Sequence, residues 1–185
     1  MACVAVRDIL TGCDSFDFGG IDRILFLNKS DLTSITKFTD GTITSVGVGT
    51  NAFIQEYEPV IDSAQFTEEL QADGPSKFYL QTLNFSLQKL TAAQIDEIEN
   101  VPFFKLIAFV RLNSGEWMVL GEKGRGLTGV SANTDTGASQ SDAKVVTMSF
   151  TAANLGKANY IAESAVLALL NGRAGTAGPL GPNIG

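Results

Sequence analysis

The chain contains no histidine. That removes the commonest general base, and with it both the Ser-His-Asp and the Cys-His arrangements of nucleophilic catalysis. Cysteine is scarce: Cys3 and Cys13 are the only two, with no Cys-x-x-Cys pair, so a zinc site lacks ligands. An oxidising setting would let them close a short N-terminal loop. A reducing cytoplasm would leave two thiols, and the sequence weighs toward thiols. Charge is sparse as well, at 18% of residues against 44% apolar. Either the core is well packed or apolar surface is kept for neighbours. The 13 Lys and Arg form no run and the net charge is −7, whereas a phosphate-gripping protein needs clustered cations. No basic-then-apolar leader opens the chain, and no run approaches the about 18 apolar residues of a spanning helix. The expectation is a protein without a membrane anchor.

What is present is scaffold. Leu83, Phe85 and Leu87 alternate with Asn84, Ser86 and Gln88, the period of two that marks a half-buried strand, here Lys77 to Gln88. Thr91-Ala-Ala-Gln94 then reads as a capping box with Leu90 and Ile95 as its hydrophobic staple, predicting a helix over 92–100 that packs through Ile95 and Ile98. Pro102 stops that helix. Phe104, Leu106, Ala108, Val110 and Leu112 alternate again, so Phe103 to Leu112 should pair with Glu116 to Leu120 across Asn113-Ser-Gly115. Earlier, Ile24 to Leu27 reads as the first core strand. Ile35 to Phe38 and Thr42 to Val48 flank the turn Thr39-Asp-Gly41, and Ala52 to Tyr57 and Ala64 to Leu70 are separated at Pro59.

Toward the end, Ser131 to Ala143 is polar throughout and predicts a long loop that orders on a partner. Lys144 to Thr151 should be a strand, and Ile161 to Leu170 a short apolar helix stopped at Asn171-Gly172. Residues 172–185 are rich in glycine and read as a flexible tail. The fold class expected is mainly β (α+β): an antiparallel β-sandwich or barrel with one flanking helix and a short C-terminal helix. Residues 1–171 form one β-rich structural domain with an N-terminal arm of about 1–20.

Candidate chemistry is thin. Glu56 with Glu58, or Asp96 with Glu99, are same-face carboxylate pairs, but a glycosidase pair needs a defined separation across a cleft. Lys123-Gly-Arg-Gly126 lacks the Ser or Thr that a phosphate loop needs. The only tryptophan, Trp117, is a candidate core or interface anchor. Glu56, Glu58, Asp62, Glu68, Glu69 and Asp73 fall between Asn51 and Gly74 with no Lys or Arg among them. They are the candidate acidic channel or inter-subunit surface, since a face that must not hold a polyanion is better acidic than basic. Asn133, Asp135, Ser139 and Asp142 are the candidate inter-subunit loop. No catalytic, cofactor-binding or metal residues are assigned.

Two stretches resemble one known group. They are Cys13 with Phe18-Gly-Gly-Ile-Asp-Arg-Ile-Leu-Phe-Leu-Asn-Lys-Ser-Asp31, and Leu83 to Leu90 with the helix to Asn100, Leu106 to Val110, Asn113-Ser-Gly-Glu-Trp-Met-Val-Leu-Gly121 and Val145 to Phe150. This layout resembles virion structural proteins of tailed phages that infect Bacteroidetes, and is similar to their tail-tube subunits. The resemblance covers roughly residues 12 to 151. It implies a sandwich or barrel of tail-tube type that self-assembles into hexameric rings around a DNA channel. It further implies no enzyme activity, no cofactor, other virion proteins as partners, DNA passing without specific binding, and a place in the virion after assembly in the host cytoplasm. The alternatives are a head–tail connector or tail-terminator ring, and a carbohydrate-binding β-module centred on Trp117 and Tyr79.

Overall fold

The computed structural model describes residues 19–50, 52, 54–73, 76–138 and 143–173. Cys3, Cys13, Ser139, Asp142 and the tail beyond Arg173 lie outside these residues, as does most of the N-terminal arm. Among the described residues the fold is mainly β, with two sheets and two helices in an open, sandwich-like arrangement.

The first sheet has seven strands. In chain order they are β1 (Ile21–Asn28), β2 (Leu32–Lys37), β3 (Ile43–Val48), β4 (Ile54–Tyr57), β7 (Leu106–Leu112), β8 (Trp117–Leu120) and β11 (Asn159–Ile161). Their spatial order is β2-β3-β11-β8-β7-β1-β4. The second sheet has four: β5 (Gln65–Asp73), β6 (Ser76–Gln88), β9 (Thr128–Asp135) and β10 (Val145–Asn154), in the order β5-β6-β10-β9. All its pairings are antiparallel, so the strands alternate in direction across it. Helix α1 (Ala92–Asn100) links the two sheets between β6 and β7, and α2 (Glu163–Arg173) follows β11.

Two apolar cores result. The facing sheets bury Phe26, Leu83, Phe85, Val110, Met148 and Phe150 between them, with Ile98 of α1 closing that core. The phenyl rings of Phe85 and Phe150 stack with centroids 6.0 Å apart, a geometry that adds to simple area burial. The other face of the larger sheet buries Leu27, Ile107, Phe109, Trp117 and Val119 under Val166 and Leu169 of α2. The larger sheet is thus covered on both sides. Hence Ile107 and Phe109 are as buried as Ala108 and Val110, although the alternation had marked only one set as inward. A strand covered on both faces reads as a continuous apolar run.

The hairpins follow their turn residues. Gly41 and Gly115 take φ of +92° and +91°, the left-handed region that glycine enters without a Cβ clash. At α1, Gln94 N–H donates to Thr91 Oγ1 while the Gln94 side chain accepts from Thr91 N–H, so the capping box forms as read. Ile98 is buried as expected, and Ile95 is only half-buried.

Several boundaries differ from expectation: β1 and β2 begin three residues earlier, at Ile21 and Leu32, and β5 and β10 end three residues later, at Asp73 and Asn154. Val101–Phe103 forms a 3-10 turn around Pro102, so the next strand starts at Leu106 rather than Phe103. Ile161 belongs to β11, paired with Trp117 and with Ile43, and α2 therefore begins at Glu163 and runs to Arg173. A three-residue strand is too short to leave a periodic signal. Finally, the polar segment from Ser131 is not all loop: residues through Asp135 belong to β9, whose partner is β10. β9 is an edge strand with almost no buried residue, so nothing in its side chains advertises a strand, and backbone pairing alone places it.

Candidate functional site

The register of the four-stranded sheet lines up its outward side chains in rows. Thr67, Thr82, Thr151 and Thr128 form one row; Gln65, Asn84, Ser149 and Ser131 form the next. Ser86, Thr147 and Asn133 continue the pattern, and Ser86 Oγ lies 3.0 Å from Thr147 Oγ1. Beyond these come Gln88, Val145 and Asp135 at one end, and Glu69 beside Leu80 and Ala153 at the other. The rows arise because side chains alternate with period two, and the opposite set (Phe66, Leu83, Phe150, Met148) fills the core. Among the described residues of this outer face there is no Lys or Arg. Its middle rows are hydroxyl and amide side chains, Val145, Leu80, Ala153 and Phe78 interrupt them toward the two ends, and its described charges are the carboxylates of Glu69 and Asp135.

The six carboxylates expected to share one surface are divided. Glu56 sits on β4 of the larger sheet, with its Oε1 3.3 Å from Arg23 Nη1. Arg23 is distant in sequence, which is why the stretch looked free of cations. Glu58 follows that strand and is exposed, and Asp62 is exposed in the turn before β5 with φ of 60°. Glu68 turns inward, where its Oε1 accepts from Gln81 Nε2 at 2.8 Å and from Ala158 N–H at 2.8 Å. Strand alternation forces that separation: Glu68 and Glu69 are adjacent and must face opposite sides. Only Glu69 of the six is shown on the outer face; the register sets Asp73 opposite Ser76. Asn133 and Asp135 lie on β9, with Asp135 Oδ1 accepting from Gly137 N–H at 2.9 Å.

Two polar groups of residues were not visible in the sequence. Gln81 and Asn154 are each 1% exposed. Gln81 Oε1 accepts from Gly121 N–H at 2.9 Å and from Asn154 Nδ2. Together with Glu68 they tie β5, β6 and β10 to the loop after β8. The only hint was Gln81 itself, which interrupts the apolar inward set of β6. The second group surrounds Glu122. It forms an ion pair with Lys37 at 2.6 Å and accepts from Asn159 Nδ2 at 2.8 Å, while its backbone carbonyl accepts from Lys29 Nζ at 2.6 Å. Burial holds the Lys29 ammonium below its ordinary pKa, partly offset by the Glu122 carboxylate. Burial, reinforced by Glu97, pushes the Tyr57 phenol up; its OH donates to Gln55 Oε1, and Gln55 in turn donates to Glu97 of α1. These groups fasten elements together.

Trp117 is 5% exposed and belongs to the core under α2. Its indole therefore offers no open face for a sugar, against the carbohydrate-module alternative. An open cleft of about 380 Å³ borders it, lined by Thr42, Glu116, Tyr160 and Glu163 among others. Among the described residues no group of three or more Cys, Asp or Glu is placed to hold a metal ion, and no helix is long and apolar enough to cross a membrane. Comparison of the chain with protein-family models, with curated proteins and with solved structures returned no match.

Proposed function

We propose that this chain is a structural subunit of a tailed-phage virion, of the tail-tube type. Copies of it close into rings, and the outer face of the four-stranded sheet lines the central channel through which DNA passes. One observation carries the reading. That face presents rows of Thr, Ser, Asn and Gln, with Glu69 and Asp135 as its described charges and no cation. Duplex DNA is held by Lys and Arg that displace its counterions. A wall of neutral hydroxyls and amides stays wetted without gripping phosphate, and a few carboxylates keep the polyanion off the surface. The resemblance of the sequence to tail-tube subunits agrees with this.

The test is to add cations to the face. Thr147→Lys and Asn133→Lys change exposed side chains and leave the core untouched. Rings of the double variant should capture linear duplex DNA at low salt and release it as salt rises, while wild-type rings should not. Closed circular DNA should not be captured, because it cannot thread a channel. Variant rings that hold circular and linear DNA equally would put this face on the outside and refute the channel assignment. Rings that never stack, at any concentration, would instead favour a connector or terminator.

A further inference from the structure

Glu122, Lys123 and Asn159 meet where two anchored segments cross. Asn159 opens β11 and pairs with Val119 of β8, while Gly124 bridges to Asn154 at the end of β10. The residues just before Gly124 are therefore laid against the loop that leads from β10 to Asn159. Lys123 follows that loop closely: a Cβ on Gly156 would lie 3.2 Å from Lys123 Cδ and 3.4 Å from its Nζ. Its ammonium ends between two oxygens, donating to Lys157 O at 2.7 Å and to Asn159 Oδ1 at 2.9 Å. The other half of the same amide is also engaged, as Asn159 Nδ2 donates to Glu122 Oε2 at 2.8 Å.

Chemistry fixes this orientation. An ammonium only donates and an ionised carboxylate only accepts, so turning the amide over would break both bonds. Lys123 Nζ is thereby held no more than about 4.1 Å from Asn159 Cγ, because it lies 2.9 Å from Oδ1 and a C=O bond is about 1.2 Å long. Attack on a carbon proceeds from about 3–3.5 Å, a small further approach. Glu122 is pinned by its second oxygen, which pairs with Lys37 Nζ at 2.6 Å, and its side chain is only 11% exposed.

We propose that Lys123 and Asn159 join in an isopeptide bond, with Glu122 as the proton carrier. Lys123 Nζ, once neutral, attacks Asn159 Cγ, and the carbonyl electron pair moves to Oδ1. The tetrahedral centre then collapses: the carbonyl re-forms, the Nζ–Cγ bond stays and the Cγ–Nδ2 bond breaks. The lysine ammonium gives up two protons in all. Glu122 passes both to the departing nitrogen, which leaves as ammonium, and the carboxylate ends ionised as it began. Charge and oxidation state are conserved, so no co-reactant is needed. Glu122 can serve both nitrogens because they share one carbon in the tetrahedral adduct and it already touches Nδ2. The bond spans 36 positions of the chain and ties the loop after β8 to the start of β11, across β9 and β10. It lies within one copy and does not depend on the assembly reading.

Intact mass and peptide mapping of the purified full chain test it. The wild type should weigh one ammonia less than its sequence, and proteolysis should release a branched peptide joining the Lys123 and Asn159 segments. Lys123→Arg keeps the cation and Asn159→Ala removes the electrophile; both should return the full mass. Glu122→Gln still offers Nδ2 an oxygen but cannot carry a proton, so it should stay unlinked while circular dichroism shows the wild-type fold. A wild-type chain of full sequence mass overturns the proposal, and that reading needs no variant to fold. Ammonia loss that persists in Lys123→Arg marks a succinimide at an asparagine and also overturns it. A bond that forms as fully in Glu122→Gln as in the wild type refutes the role given to the carboxylate.

Discussion

Gln81 donates to the Glu68 carboxylate across the β5–β6 pair while its own carbonyl oxygen accepts from Gly121, so an acid of the surface strand is drawn into the seam between the sheets. Glu68 also receives Ala158 N–H. Glu68→Ala would strand two donors in a half-buried site and should cost about 1–3 kcal/mol. Glu69→Gln, one residue on and facing outward, should change stability by no more than about 0.5 kcal/mol. Urea unfolding of the two variants checks the contrast, and equal effects would refute the assigned role of Glu68.

The capping box of α1 gives a second expectation. Thr91→Ala removes the acceptor for Gln94 N–H, and should cost about 1 kcal/mol. The helix is short and joins the two sheets, so the loss should appear in global unfolding rather than as local fraying.

Tyr57 predicts an alkaline weakness. Its phenol is held protonated in the folded state by burial and by Glu97, while in the unfolded chain it titrates near the ordinary phenol value of 10.0. The folded pKa is raised, so this contribution is fully present below pH 10 and is lost as pH rises above it. Tyr57→Phe should flatten the fall in stability above pH 10 relative to wild type. At pH 7 it should cost about 0.5–1.5 kcal/mol for the lost bond to Gln55.

Gly124 marks how closely the loop after β8 approaches β10. A Cβ there would lie 2.3 Å from the backbone oxygen of Ala153 and 2.4 Å from Asn154 Oδ1. Backbone cannot rotate away as a side chain can, so Gly124→Ala should destabilise by about 1–3 kcal/mol. Thermal unfolding measures it.

These expectations draw on features of unequal legibility. The inward set of β6, the box at Thr91 and the turns at Gly41 and Gly115 were plain in the sequence, because alternation, capping and positive φ each leave a local mark. β9 left none: its side chains bury almost nothing, so its residues read as loop. The carboxylates misled for a related reason. Charge along the chain says nothing of what folds beside it, and Arg23 and Gln81 reach Glu56 and Glu68 from other strands. The cation-free outer face was half visible as alternating Asn84, Ser86, Thr147 and Ser149. Its continuity needed the register, which joins four separate segments into rows.

How copies of the chain assemble decides the proposed role, and cryo-electron microscopy of the purified protein at high concentration measures that directly. Closed rings or stacked tubes should form, with Thr82, Ser86, Thr147 and Asn133 lining the lumen and α2 on the outside. Particles that remain monomeric, or rings in which the four-stranded sheet faces outward, would contradict it.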